Sequence, residues 1–95
     1  MVDRLENQIE KEQRDVEILR LVLSQGPIGI VRLAEESGLP EHKVRYSLRM
    51  LENDELIDPT PDGAVPEADI EARVEDINAG LDRLIERVEA MRGEI

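Results

Sequence analysis

The amino-acid sequence predicts a mainly α-helical protein with one small β-hairpin and a long C-terminal helix. Three observations support this fold class. Apolar residues recur at helical spacing through the first half of the chain, two short apolar pieces flank a proline-rich turn near its middle, and a heptad pattern runs through the last third. A chain of 95 residues is expected to form one small domain plus at most one accessory element, with a core that is marginal alone.

The first helix is predicted over residues 3–24. Asp3 is expected to cap its start, and the Gly26-Pro27 pair is expected to end it. Residues 16–23 are apolar on nearly every side, as expected for a helix at the centre of a core. The helix is predicted from apolar residues that follow one another at intervals of three, four or seven positions: Leu5, Ile9, Val16, Leu19 and Leu23.

Two shorter helices are predicted next, over residues 29–37 and from Pro40 to about Asn53. Gly38 between them suits a turn residue with positive φ, and Pro40 suits the first turn of the third helix. The inner face of the third helix is formed by Val44, Leu48 and Leu51.

A hairpin is predicted over residues 56–65, where Leu56-Ile57 and Ala64-Val65 flank a turn that contains Asp62-Gly63. The last helix is predicted over residues 66–93, with Pro66 and Asp69 at its start. Its apolar residues alternate in spacing between four and three, which defines a heptad seam. The seam consists of Ile70, Val74, Ile77, Leu81, Leu84, Val88 and Met91.

A seam of this length needs a partner, because a small domain cannot cover all of it. We expect a second copy of the chain, and therefore a homodimer with a coiled-coil-like interface. The alternative is pairing within one chain, against Leu5, Ile9 and Val16 of the first helix, and both arrangements can hold together. The residues that flank the seam offer no charge code for parallel pairing, which favours an antiparallel pair over a parallel one.

Two motifs resemble those of winged helix-turn-helix DNA-binding domains. The segment Leu33-Ala34-Glu35-Glu36-Ser37-Gly38-Leu39 resembles the Leu-Ala-x-x-x-Gly-Leu turn of helix-turn-helix proteins. The spacing of Val44, Leu48, Leu51 and Leu56-Ile57 resembles a recognition helix followed by the first strand of a wing. Regulators of similar appearance include the MarR-like, ArsR-like and TrmB-like families of archaea and bacteria. The resemblance covers about residues 14–66, and it implies an N-terminal helix extension at 1–13 and a dimerisation helix at 67–95.

The resemblance implies that the helix at residues 40–53 enters the major groove of DNA. Residues 42–51 carry three cations and no anion, whereas residues 52–95 carry four cations and fourteen anions. The sole cationic island therefore coincides with the predicted DNA-reading face. Its candidate DNA-binding residues are His42, Lys43, Arg45, Tyr46 and Arg49. Alternatively, Arg45 and Arg49 bridge neighbouring carboxylates, and Tyr46 packs on Arg49 or the hairpin.

The overall charge opposes DNA binding, since 23 acidic residues against 12 basic ones give a net charge of −11. An acidic, lysine-poor composition resembles that of proteins from halophilic archaea. At ~1 M salt the Debye length is about 3 Å, which would screen the self-repulsion. The turn at residues 58–63 also carries two aspartates, where wings that touch DNA usually carry Arg or Lys. We expect this wing to stay clear of phosphates or to contact them weakly.

The expected function is that of a sequence-specific transcriptional regulator that binds double-stranded DNA as a homodimer. The alternative is a winged-helix adaptor module that binds a basic protein and no DNA. The chain has no cysteine, one histidine and no glycine-rich phosphate loop, so we expect no enzymatic activity, no metal and no cofactor. No small-molecule effector is indicated. Without an apolar span or a signal-peptide core, the protein is expected to be cytoplasmic.

Overall fold

The computed structural model describes all 95 residues and confirms the predicted fold class of four helices and a two-stranded hairpin. The fourth helix begins four residues later than predicted, because Pro66 pairs with Ile57 in the hairpin and Asp69 takes the N-cap position. The elements, in chain order, are α1 (Val2–Gln25), α2 (Ile30–Ser37), α3 (Glu41–Asn53), β1 (Ile57–Thr60), β2 (Gly63–Pro66) and α4 (Ile70–Met91).

The turn between α2 and α3 follows the sequence prediction. Gly38 adopts a left-handed conformation with φ 74°, and its N–H donates to the carbonyl of Ala34. Pro40, predicted in the first turn of α3, lies one position earlier as its N-cap, and its carbonyl accepts from the N–H of Val44 at 3.1 Å. The prediction that Asp3 caps α1 is wrong, since Met1 is the N-cap and no side chain bonds there. Asp3 lies in the first turn, where its charge interacts favourably with the helix dipole.

The core lies where α1, α2, α3 and the hairpin meet. It takes no fully buried residue from α4, whose Ile70 and Ile77 pack only against its edge. Of the predicted inner face of α3, Val44 and Leu51 are buried and Leu48 is partly buried. The eleven apolar core residues are Ile18, Leu19, Leu21, Val22, Ile28, Leu33, Val44, Leu51, Leu56, Ile57 and Ala64.

The hairpin has longer strands and a shorter turn than the sequence predicts. Thr60 pairs with Gly63, which leaves Pro61 and Asp62 as the turn. A one-residue third strand, not predicted, joins the hairpin to the α1–α2 connection: the N–H of Ile28 donates to the carbonyl of Ala64 at 3.1 Å, and Ala64 returns the bond at 2.9 Å. The wing is thereby fixed to the helical core.

The start of α4 is held by Arg73. Its Nε donates to Asp69 and its Nη2 to Glu55, both at 3.1 Å. The hydrogen bond to Asp69 is the main cause of a raised pKa for Arg73. Glu55 lies in the α3–β1 turn with φ 60°, an uncommon conformation for a residue other than glycine. This pair of bonds links the long helix to the end of α3.

The molecule is elongated for its length. Its radius of gyration is 15.0 Å, against about 12 Å for a compact domain of this size. Its accessible surface is 7074 Å², about 1,500 Å² more than is typical for a monomer of 10.8 kDa. The excess comes from the ends of the two long helices, because residues 1–13 and 81–95 are all exposed. Neither α1 nor α4 carries an apolar stretch that could cross a bilayer.

The close approach of Gly63 to Ile28 generates a stability prediction. Gly63 has φ 124°, and a Cβ there would lie 2.5 Å from the carbonyl carbon of Ile28. Gly63→Ala is therefore expected to lower the free energy of unfolding by at least about 2 kcal/mol, measured by urea denaturation. Gly29→Ala is the matched control, because its Cβ meets nothing within 4 Å, and it should cost less than about 1 kcal/mol. Equal losses in the two variants would contradict this explanation.

Candidate nucleic-acid interface

The five predicted DNA-binding residues share one exposed face of α3. The opposite face of the helix buries Val44, Ser47 and Leu51, which turns the remaining side chains outward. The exposed set is His42, Lys43, Arg45, Tyr46 and Arg49. The fold thus presents this cationic segment to solvent along most of α3.

The cations on this face differ in what they contact. Arg45 forms an ion pair with Glu41, with Nη2 3.6 Å from Oε1, and both side chains are more than half exposed. An exposed pair of this kind is worth only ~0–1 kcal/mol, so Arg45 can exchange Glu41 for a phosphate or a base edge at small cost. Lys43 and Arg49 form no ion pair. The alternative of bridged carboxylates therefore applies to Arg45 and not to Arg49.

Tyr46 contacts a residue that the sequence did not indicate. The guanidinium carbon of Arg14 in α1 lies 5.3 Å from the centroid of the Tyr46 ring, a cation–π geometry. The ring remains 49% exposed, so one side of it is still available to a ligand. Tyr46 therefore links the outer face of α3 to α1.

Arg14 also holds the inner side of α3. Its Nε donates to the hydroxyl of Ser47 at 3.0 Å, and Ser47 is the one fully buried polar residue of the chain. Sequence reasoning missed both residues. A signal was present for Ser47, since it lies three residues after Val44 and four before Leu51, on the core face. Nothing local pointed to Arg14, which is 33 residues away.

A cleft lies beside the first turn of α3, between that helix and α1, and we call it the α1–α3 cleft. Its volume is about 380 Å³. It places Lys11 and Arg14 of α1 next to Lys43 of α3, which extends the cationic surface beyond α3. The cleft is lined by Asn7, Glu10, Lys11, Arg14, Leu39 and Lys43.

The wing carries the opposite charge. Thr60 donates to the carbonyl of Gly63 at 2.6 Å and accepts from the N–H of Asp62, which gives the tip a defined shape. At its base, a hydrogen-bonding contact with the Asp58 carboxyl raises the pKa of Glu67, with smaller contributions from burial and neighbouring acids. The wing therefore presents carboxylates and no cation.

The predicted dimerisation seam is partly covered and partly exposed. Ile70, Val74 and Ile77 lie near the domain and are half-buried. The residues beyond them are exposed, and Ile85, which the seam prediction omitted, joins them. Exposed fractions are 44% for Leu81, 53% for Leu84, 55% for Ile85, 52% for Val88 and 53% for Met91.

A second apolar face lies on α1. Its residues Leu5, Ile9 and Val16 are exposed by 46%, 52% and 50%, so the alternative that they are buried against α4 of the same chain is not observed. At about 100° per residue, this face points away from the side of α1 that holds Lys11 and Arg14. The helix thus separates an apolar outer face from a cationic inner one.

The remaining surface offers no group of three or more His, Asp or Glu side chains placed to hold a metal ion.

One comparison with known proteins gives a match. A family model described as winged helix-turn-helix DNA-binding matches residues 11–58, just over half of the chain. The matched segment begins at Lys11, contains α2 and α3 and ends within β1. No curated protein matches the chain significantly.

The bond between Arg14 and Ser47 generates a test of how α1 holds α3. Arg14→Ala leaves a buried hydroxyl without its partner and should cost about 1–2 kcal/mol of stability, measured by urea unfolding at one protein concentration. In the double variant with Ser47→Ala, the loss should be smaller than the sum of the single losses by about 0.5–1.5 kcal/mol. Arg4→Ala, an exposed α1 residue without an ion pair, is the control. Strict additivity would show that the contact contributes nothing.

Proposed function

Because the chain belongs to the family of winged helix-turn-helix DNA-binding domains, we propose that it is a transcriptional regulator that binds specific double-stranded DNA sequences as a homodimer. The observation that carries this proposal is the exposed cationic face of α3, which lies within the family match. In an acidic chain, this face is where attraction to DNA is strongest.

The proposed contacts follow from the chemistry of the α3 face. A major groove about 12 Å wide admits a helix, and α3 has 13 residues to lay in it. Arg45 and Arg49 lie one turn apart on that face, where a guanidinium can donate two hydrogen bonds to O6 and N7 of guanine. Lys43 lies at its flank and suits a backbone phosphate. His42 and Tyr46 complete the surface.

The acidic charge of the rest of the chain influences which side of the protein faces the DNA. Carboxylates on the wing and on α4 repel phosphates, which favours an approach led by α3. We further propose that the protein works at high salt, where the repulsion is screened and where its acidic, lysine-poor composition is typical. Since salt also weakens phosphate contacts, base contacts by the arginines then carry more of the affinity.

Dimerisation is proposed from the uncovered apolar surface. The excess of about 1,500 Å² over a typical monomer is larger than the roughly 800 Å² that each partner contributes to a standard interface. In this proposal, the extension at residues 1–13 and the helix at residues 67–95 pack against the same elements of a second copy. A two-fold dimer then presents two copies of α3 to two half-sites.

DNA recognition is tested by selecting duplexes from a random library and measuring the affinity of variants for the selected sequence. Arg49→Ala and Arg45→Ala should each weaken binding by about 1–3 kcal/mol, because a bidentate base contact is lost. Arg92→Ala removes the same charge at the far end of α4 and should have little effect.

Unchanged affinity in both α3 variants would remove the proposed roles of these arginines. A library that yields no enriched sequence, at physiological or at multimolar KCl, would contradict DNA recognition. It would favour the adaptor alternative, for which the acidic wing is the supporting observation.

The dimer is tested by placing a charge on the seam. Leu84→Glu should convert a species of twice the 10.8 kDa chain mass into a monomer, measured by light scattering in high salt. Ala79→Glu places the same charge on the opposite, exposed face of α4 and should leave the dimer intact. A wild-type monomer at tens of micromolar would refute the proposal, and so would dissociation by both variants alike.

A further inference from the structure

We propose that the α1–α3 cleft binds a backbone phosphate of DNA next to the groove that α3 enters. This inference rests on the proposed DNA-binding function and adds a contact from a helix outside the helix-turn-helix motif. It assigns the phosphate to Lys11, Arg14 and Lys43, which two separate helices bring to the same cleft.

The three cations of the cleft are unpaired. Acidic residues outnumber basic ones almost two to one, and four arginines elsewhere are paired with carboxylates. Those four are Arg20, Arg32, Arg45 and Arg73. None of the three cleft cations forms an ion pair. Three like charges in one cleft repel one another, the single carboxylate of Glu10 offsets only part of that repulsion, and an anionic ligand would relieve the rest.

Arg14 is already oriented for an anion. Its Nε donates to Ser47 and its guanidinium carbon lies over the ring of Tyr46, so the guanidinium is held in place. Its two terminal nitrogens, Nη1 and Nη2, have no protein partner. A fork fixed in this way loses little conformational entropy when it binds two oxygens of a phosphate.

The rest of the lining fits the same ligand with one exception. The Asn7 amide can donate to a phosphate oxygen, whereas the Glu10 carboxylate opposes the anion. With three cations against one anion, the lining carries a net charge of +2. The cleft is also open to solvent through the exposed side chains of Lys11 and Lys43, so the DNA backbone can reach it.

The position of the cleft determines what a phosphate contact there would do. Lys43 lies in the first turn of α3, so a phosphate held there flanks the end of the helix that enters the groove. A contact of this kind fixes register and orientation without reading sequence. Because Leu5 and Ile9 lie on the opposite face of the same helix, α1 would connect the proposed dimer surface to the DNA backbone.

The experiment measures the dependence of DNA affinity on KCl concentration for the 95-residue chain. Lys11→Gln and Lys43→Gln should each reduce the slope of log K against log salt by about 1. Each should weaken binding about fourfold at 0.2 M KCl and hardly at all at 1 M. The factor should be the same for a selected and a scrambled duplex. Glu10→Gln should strengthen binding in the same assay.

Arg92→Gln is the charge-matched control, at the end of α4. Thermal melting is used to check that each variant is folded. We expect all of them to fold, because the side chains of Glu10, Lys11 and Lys43 form no hydrogen bond or ion pair within the chain.

If wild-type protein binds DNA and neither lysine variant changes the slope, the cleft inference is overturned and DNA binding stands. A loss confined to the selected duplex would indicate a base contact and would also overturn it. If the wild-type chain binds no duplex at any salt, the inference falls together with the proposed function.

Discussion

The contact of four elements around Ile18, Leu33, Val44 and Ile57 is the constraint on which the rest of this molecule depends. These side chains are 0–1% exposed, and they fix α3 with one face inward and one outward. The backbone bonds between Ile28 and Ala64 extend the same packing to the wing. Only 12 of the 95 residues are buried, so most of the chain lies outside this junction. A core this small orients α3 and leaves both long helices uncovered at one end.

Positive and negative charges lie on different parts of the molecule. The cations without partners near α3 come from two helices, α1 and α3, whereas carboxylates dominate the wing and α4. The contact that raises the pKa of Glu67 shows how closely acids are packed at the base of the wing. Such crowding is unfavourable at low ionic strength, and it repels a polyanion from the wing. The proposed function depends on this separation more than on net charge.

Much of the fold could be predicted from local patterns. The spacing of apolar residues predicts all four helices. Gly38 predicts the turn, because glycine adopts positive φ at little energetic cost. The sequence did not predict the bridge at Ile28, since a one-residue strand has no pattern of its own. The start of α4 was misplaced because Pro66 suits a helix start as well as a strand end, and only its pairing with Ile57 distinguishes them.

The candidate site was predictable only in the part that lies on α3. The exposed face of that helix follows from the positions of Val44 and Leu51, so its five residues could be named. Lys11 and Arg14 lie in an acidic stretch, where a sum over neighbouring residues conceals two cations on one helix face. Their position beside Lys43 depends on how α1 crosses α3, which local sequence does not encode. Ile85 was missed because it lies beside the strict heptad positions.

The most direct test of this account is the mass of the complex with DNA, measured by sedimentation equilibrium on a duplex that the protein itself selects. Two chains of 10.8 kDa are expected on one duplex, with the complex formed in high as well as moderate KCl. A complex of one chain per duplex would contradict the dimeric arrangement. A duplex that sediments alone at every salt concentration would contradict the proposal that the α3 face binds DNA.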